Sequence, residues 1–154
     1  MNPHRSWHKS HIEKDTLHAL EDLAADVRAR AAENVDKIHL FDVDLPDGNT
    51  YRESATVNAG QELPPVVNVP GLCKVGLSIC YDVRFPELYR HLVGAGADLL
   101  MIPAAFTAFT GKDHWQVLLQ ARAIENTAYV LARAQTGRHY GRRHSHGHAM
   151  VIDP

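Results

Sequence analysis

Cys80 sits at the junction of an apolar run and a polar one in KVGLSICYDVRFPE, with Tyr81, Asp82 and Arg84 directly after it. A thiol so placed has two explanations. It is a small buried hydrophobe, or it is a nucleophile at a strand end, where neighbouring backbone N–H groups lower its pKa and steady an oxyanion. Taken alone, a cysteine at a strand end favours the first. The chain also carries eleven histidines, of which His139, His144, His146 and His148 fall in GRHYGRRHSHGHAM. Were the stretch from His144 extended, three of these would share one face, a geometry able to take zinc or nickel. A polar loop entering a strand explains them better, and no metal is expected.

The elements that must hold these residues follow from periodicity and punctuation. Asp15 can cap a helix over residues 15–34, with Leu17, Leu20, Ala24, Val27 and Ala31 on one stripe. KIHLFDVDLPDG alternates imperfectly and stops at a Pro-Asp-Gly turn. The next stretch, ESATVNAGQELPP, reads as loop. Strands are expected near 66–69 and 73–79, joined by Pro70-Gly71. FPELYRHLVGAG reads as a short helix with Pro86 near its start. ADLLMIPAAF reads as a strand buried on both faces, DHWQVLLQARAIENTA as a helix and YVLARAQT as a strand. A polar loop and a last strand in HAMVIDP complete the order. Strands alternating with helices predict an α/β layered sheet, and in such sheets ligands gather beyond the carboxyl ends of strands. Cys80 lies at one.

Composition narrows the function classes. The 154 residues are 45% hydrophobic and 22% charged, which is ordinary globular composition. A net charge of -2 offers no basic field for nucleic acid. The apolar runs are far too short to cross a bilayer, and the first residues carry no apolar signal core, so a cytoplasmic protein is expected. If the residues between Cys73 and Cys80 form a strand, the two lie roughly 23 Å apart, well beyond disulfide reach. Both should be free thiols, as suits a reducing compartment.

Three separated segments share one pattern: KIHLFDVDLP with YRES downstream, VGLSICYDVRFPEL, and GKDHWQVLLQARAIENTAYVLARAQTG with GHAMVIDP. Together they resemble the nitrilase, or carbon-nitrogen hydrolase, superfamily. Within it they look most like the branch of small-amide amidases that includes deaminated-glutathione amidase and omega-amidase. The resemblance runs from Lys37 to Pro154. It implies an α-β-β-α sandwich, here partial and preceded by a non-family amino-terminal arm and helix over residues 1–36. It implies that Cys80 is the nucleophile, Lys37 the oxyanion-stabilising cation and Glu53 an assisting glutamate, with Tyr81 and Arg84 at the substrate. A further general-base glutamate is implied in an amino-terminal half that these segments do not match, and Glu13, Glu21 and Glu33 stand in no equivalent context.

The expected reaction converts a small linear amide to a carboxylate and ammonia through a thioester on Cys80, with no cofactor. The resemblance also implies a homodimer or higher homo-oligomer. From another class comes the alternative of a catalytically impaired fragment or pseudoenzyme that works by association. Arg84, Glu87 and Arg122 are expected in ion pairs around the turn after Cys80, and Asp82 in hydrogen bonds local to it.

Overall fold

Pro70 and Gly71 turn one short apolar run back on another. Gly71 takes φ +76°, a conformation open to glycine, and the flanking strands β3 (Val66–Val69) and β4 (Cys73–Leu77) pair antiparallel around it. In the computed structural model, which describes residues 37–139 and 143–154, β3 is one edge of a five-stranded sheet ordered β3-β4-β5-β6-β9. β5 (Leu99–Ala104) and β6 (Tyr129–Ala134) run parallel to β4, and β9 (Met150–Ile152) closes the other edge antiparallel to β6. Two ribbons stand apart from it. They are β1 (Asp42–Asp44) with β2 (Thr50–Arg52), and β7 (Thr136–His139) with β8 (Arg143–His146).

The crossovers between the parallel strands are helices α1 (Pro86–Gly94) and α2 (Ala108–Asn126). Proline in the first turn starts α1 without losing an intrahelical bond. Both helices lay their apolar stripes against the sheet. Leu88, Tyr89 and Leu92 of α1 and Trp115, Leu119 and Ala123 of α2 enclose Leu100, Ile102, Val130 and Ala132. Each fully buried leucine or isoleucine here contributes roughly 2 kcal/mol. The Trp115 indole N–H does not go unpaired, since it donates to the His148 carbonyl at 2.9 Å.

Four expectations change on contact with the structure. β5 is not buried on both faces. Leu100, Ile102 and Ala104 lie under the helices, whereas Leu99 and Met101 point the other way and are half-buried beside Val75 and Leu77. Helix α2 starts at Ala108, five residues before the expected Asp113. Gly111, a poor helix former, sits inside it because a Cβ there would come within 2.6 Å of the His146 ring. The polar stretch after β6 is a ribbon instead of a loop, pinned by the His146 N–H donating to the Phe106 carbonyl at 2.8 Å and by a Thr107–Ser145 bridge. Finally, β8 ends at His146, and the chain turns through Gly147 and His148 at positive φ, so no extended run carries all three histidines.

Both cysteines are free, as expected. The helix expected over residues 15–34 and the three early glutamates lie outside the described residues.

Candidate active site

The turn after β4 is built to hold residue 80 in an uncommon backbone conformation. Ser78, buried, donates its N–H to the Met101 carbonyl at 3.2 Å, and its hydroxyl lies 2.8 Å from the buried Tyr89 hydroxyl. Ile79 is extended, and Cys80 then takes φ +52°, opening a 3-10 turn over Cys80–Arg84 that leads into α1. A left-handed conformation costs a side-chain-bearing residue about 1–2 kcal/mol. The surroundings must therefore impose it.

Asp82 supplies the constraint. Fully buried, it accepts the Ile79 N–H through Oδ2 and the His39 N–H through Oδ1, each at 2.9 Å, with the His39 ring nitrogen Nδ1 also 2.9 Å from Oδ1. One carboxylate thus ties the residue before Cys80 to a segment that lies forty-three positions ahead of the carboxylate itself. The His39 ring stacks on Phe85, centroids 3.5 Å apart and nearly parallel. Lys37, two residues upstream, is drawn in by the same docking.

Lys37 is 8% exposed and forms an ion pair with Glu53, at the start of the 3-10 turn after β2. An unpaired ammonium buried to this degree would carry a large desolvation penalty. The same Glu53 oxygen accepts the Phe41 N–H at 2.7 Å, so the carboxylate is held from two sides. Phe41 packs against Tyr81 and Tyr51, and the Lys37 ammonium lies 5.9 Å from the Tyr81 ring centre.

These residues line one cleft of about 320 Å³, part of it open to solvent. Lys37, Phe41 and Glu53 come from the first segment, Cys80 and Tyr81 from the end of β4, and Ala105, Phe106 and Thr107 from the end of β5. Thr110 of α2 and Arg143 of β8 complete the wall. Burial pushes the Cys80 thiol above its usual pKa. The Lys37 cation, a backbone hydrogen bond from Ala105 and the Arg143 cation pull it back, while Glu53 pushes with the burial.

Of the five residues singled out from the sequence, Cys80, Lys37, Glu53 and Tyr81 meet in this cleft. Arg84 does not line it. Its guanidinium lies behind the wall, 5.4 Å from the Tyr81 ring centre and 5.1 Å from that of Phe106, and 3.2 Å from His114 Nδ1. The expected ion pairs hold only for Arg122, which bonds Glu125 at 2.7 Å and the Val83 carbonyl at 2.9 Å. Among the described residues Arg84 and Glu87 have none, because Arg84 is turned onto aromatic faces and Glu87 is exposed at the head of α1. The β5-end residues, Thr110 and Arg143 were not anticipated. The rule that placed Cys80, ligands beyond strand carboxyl ends, extends to β5 and would have found Ala105 to Thr107. Among the described residues no cluster of three or more His, Cys, Asp or Glu side chains is arranged to hold a metal ion, and no helix is long and apolar enough to cross a membrane.

Comparison with known proteins bears on this arrangement. Deaminated glutathione amidase of a Synechocystis strain is 74% identical over 118 residues, covering 77% of this chain and 43% of that protein. The Dictyostelium discoideum protein of the same name is 55% identical over 119 residues, covering 77% and 40%. The chain thus spans less than half the length of these curated relatives. Among solved structures, the Caenorhabditis elegans NitFhit protein aligns with a TM-score of 0.71 at 52% identity, over 77% of this chain and 29% of that one. A mutant of the amidase from Nesterenkonia sp. AN1, solved with the acetamide moiety of fluoroacetamide added at its active site cysteine, aligns with a TM-score of 0.62 at 31% identity, over 77% and 41%. These likenesses make the α/β fold one of the nitrilase type. The sequence profile described as carbon-nitrogen hydrolase matches residues 9–154, beginning ahead of the boundary expected at Lys37, and with this match the chain belongs to the carbon-nitrogen hydrolase family.

Proposed function

We propose that the cleft hydrolyses the C–N bond of a small linear amide, with Cys80 as nucleophile. The observation that carries this reading is a cysteine held at positive φ in a cleft that also holds a buried Lys37–Glu53 pair. Cys80 Sγ attacks the carbonyl carbon while the Lys37 ammonium and the Tyr81 N–H stabilise the oxyanion. The C–N bond then breaks, and nitrogen leaves as ammonia with the proton given up by the thiol. Water adds to the resulting thioester, the C–S bond breaks, and the carboxylic acid departs as sulfur regains a proton. Glu53 assists by holding Lys37 in place. Tyr81 meets the substrate from the wall, and Arg84 acts through the Tyr81 and Phe106 rings it supports.

The names of the curated relatives, and the covalent attachment of the acetamide moiety of fluoroacetamide at the active site cysteine of the Nesterenkonia amidase, support a cysteine nucleophile. The free thiols suit a cytoplasmic setting. Self-association into at least a dimer is also proposed, with Val117 and Ile124 on the exposed side of α2 at 63% and 69% exposure.

A second reading is a catalytically impaired chain acting through association. It is favoured by the raised thiol pKa together with Glu53 being the single carboxylate among the described residues of the cleft wall. Ammonia release from a panel of small amides, including α-keto acid amides, separates the two. Release that disappears in Cys80→Ala, with an acyl adduct on Cys80 in quenched wild type, supports the first reading. No release from protein shown to be folded by circular dichroism overturns it.

A further inference from the structure

Glu53 reaches Lys37 from a turn that its own strand does not cap. Pairing of β1 with β2 ends at Asp42 opposite Arg52, and the chain then enters the 3-10 turn over Glu53–Ala55. Arg52, the residue before that turn, gives it no side-chain hydrogen bond. Its guanidinium is held instead by both oxygens of Asp44, at 2.7 and 2.9 Å. The first N–H groups of such a turn have no partners within it. We propose that Asp42 supplies the missing acceptor from the neighbouring strand, and is thereby a positioning residue for Glu53 and, through Glu53, for Lys37. The inference rests on the amidase reading for what Lys37 and Glu53 do, and adds what keeps Glu53 aimed at the cleft.

Geometry carries it. The Ser54 N–H donates to Asp42 Oδ1 at 3.0 Å, and the Ser54 hydroxyl donates to Oδ2. Both oxygens of one carboxylate therefore grip the residue directly after Glu53. On the other flank, the Glu53 N–H donates to the Phe41 carbonyl at 3.3 Å, and the Phe41 N–H donates back to Glu53 Oε2 at 2.7 Å. Were Asp42 removed, the backbone of the turn would be tied to Phe41 by that 3.3 Å contact, which is long for an N–H···O bond. Asp42 itself is exposed and does not line the cleft. Substitution at such a position ordinarily costs little stability, so its effect belongs in the cleft and not in the melting temperature. The Ser54 hydroxyl and N–H hold the Asp42 carboxyl below its usual range, which keeps it an acceptor at neutral pH.

Release of Glu53 has a definite sign at the sulfur. Lys37 pulls the Cys80 thiol pKa down and Glu53 pushes it up. A Glu53 carboxylate that swings away stops pushing and leaves the Lys37 ammonium without its counter-charge. The thiol then ionises more readily, while the oxyanion loses a cation held in register. Faster alkylation combined with slower turnover is a pairing that general loosening of the fold does not produce.

The test follows iodoacetamide labelling near neutral pH by mass spectrometry on the Cys80 and Cys73 peptides of the full chain, with ammonia release measured on the same variants. Asp42→Ala should label Cys80 about threefold faster than wild type and release ammonia about tenfold more slowly, with the loss in kcat. Cys73 should keep its wild-type rate, whereas unfolding would raise both. Asp42→Asn can accept the Ser54 N–H and donate to the Ser54 hydroxyl, so it should stay within about twofold of wild type. Glu53→Gln should also label faster, and adding Asp42→Ala to it should change nothing more. Asp44→Ala, which frees Arg52 alone, should match wild type. An unchanged Cys80 rate in Asp42→Ala, a rise shared by Cys73, a rise that adds to that of Glu53→Gln, or an Asp42→Asn that behaves as Asp42→Ala overturns the proposal. Labelling as expected with no ammonia release from wild type refutes the amidase reading alone. Ammonia release with labelling indifferent to Asp42 refutes the Asp42 assignment alone.

Discussion

Replacing Asp82 by asparagine removes a single oxygen acceptor, and the structure says what that should cost. The two oxygens receive two backbone N–H groups from opposite sides, His39 on Oδ1 and Ile79 on Oδ2. An asparagine carbonyl can serve one of them. Whichever way the amide is turned, its NH2 faces the other donor, and a backbone N–H is left unpaired beside a side chain with no solvent exposure. One buried donor without a partner costs about 1–3 kcal/mol, and a chain of this size loses roughly 2–4 °C in Tm per kcal/mol. Asp82→Asn should therefore melt roughly 4–8 °C below wild type for a cost near 2 kcal/mol. Asp47→Asn, at an exposed turn carboxylate that bonds only Asn49, should stay within about 0.5 kcal/mol. Because the lost bond loosens Lys37 from the Cys80 turn, the second readout is the pH profile of iodoacetamide labelling, followed by mass spectrometry on the Cys80 peptide. Its midpoint should move up in Asp82→Asn. A variant that melts with wild type and labels with the same profile would refute the idea that this carboxylate joins the two halves of the cleft.

Other substitutions test neighbouring points. Labelling of Cys80 in wild type should have a midpoint above that of an ordinary thiol, and Lys37→Met should raise it further by removing the cation and leaving Glu53 beside the sulfur; a midpoint at or below the ordinary value contradicts the burial argument. The linked stability has a definite sign. A thiol whose pKa is raised by folding keeps its proton where the unfolded chain has lost it, so that stabilisation is present below the unfolded pKa and is lost as pH climbs through the folded one. Denaturant melts should show wild type falling relative to Cys80→Ala as pH rises above about 8.5. Gly111→Ala should cost about 1–3 kcal/mol by forcing a methyl group into His146, read as a lowered melting temperature. Leu92→Ala, at a fully buried position of α1, should cost about 2–5 kcal/mol in urea titration.

The parts of the fold that local chemistry dictates were readable in the amino-acid order. Pro70-Gly71 marks the β3–β4 turn and Pro86 the start of α1, and between them they locate Cys80 at a strand end. Contacts that join distant segments were not readable. Nothing local to Gly111 says helix, and its acceptance there depends on His146, thirty-five residues on. The β7–β8 ribbon has a polar sequence with no buried alternation to betray it; its shape comes from docking on Phe106 and Thr107. Asp82 shows both sides of this. Its bond to Ile79 follows from spacing alone, whereas its bonds to His39 needed the folded chain. At the site, Cys80, Lys37 and Glu53 were found through the resemblance of the segments around them, and the β5-end residues lay within reach of the strand-end rule, while Thr110 and Arg143 became visible only once four parts of the chain met.

With Cys80 as the proposed nucleophile, the backbone at residue 80 sets chemistry against stability. Glycine would adopt φ +52° with no Cβ penalty, so Cys80→Gly relieves strain that the folded chain otherwise carries, while it deletes the sulfur. A library of variants sorted for heat resistance alone should drift toward glycine at this position, and one sorted for turnover should hold cysteine there. The two selections pull apart at a single residue, and how far they do so measures how much stability the protein gives up to present its thiol.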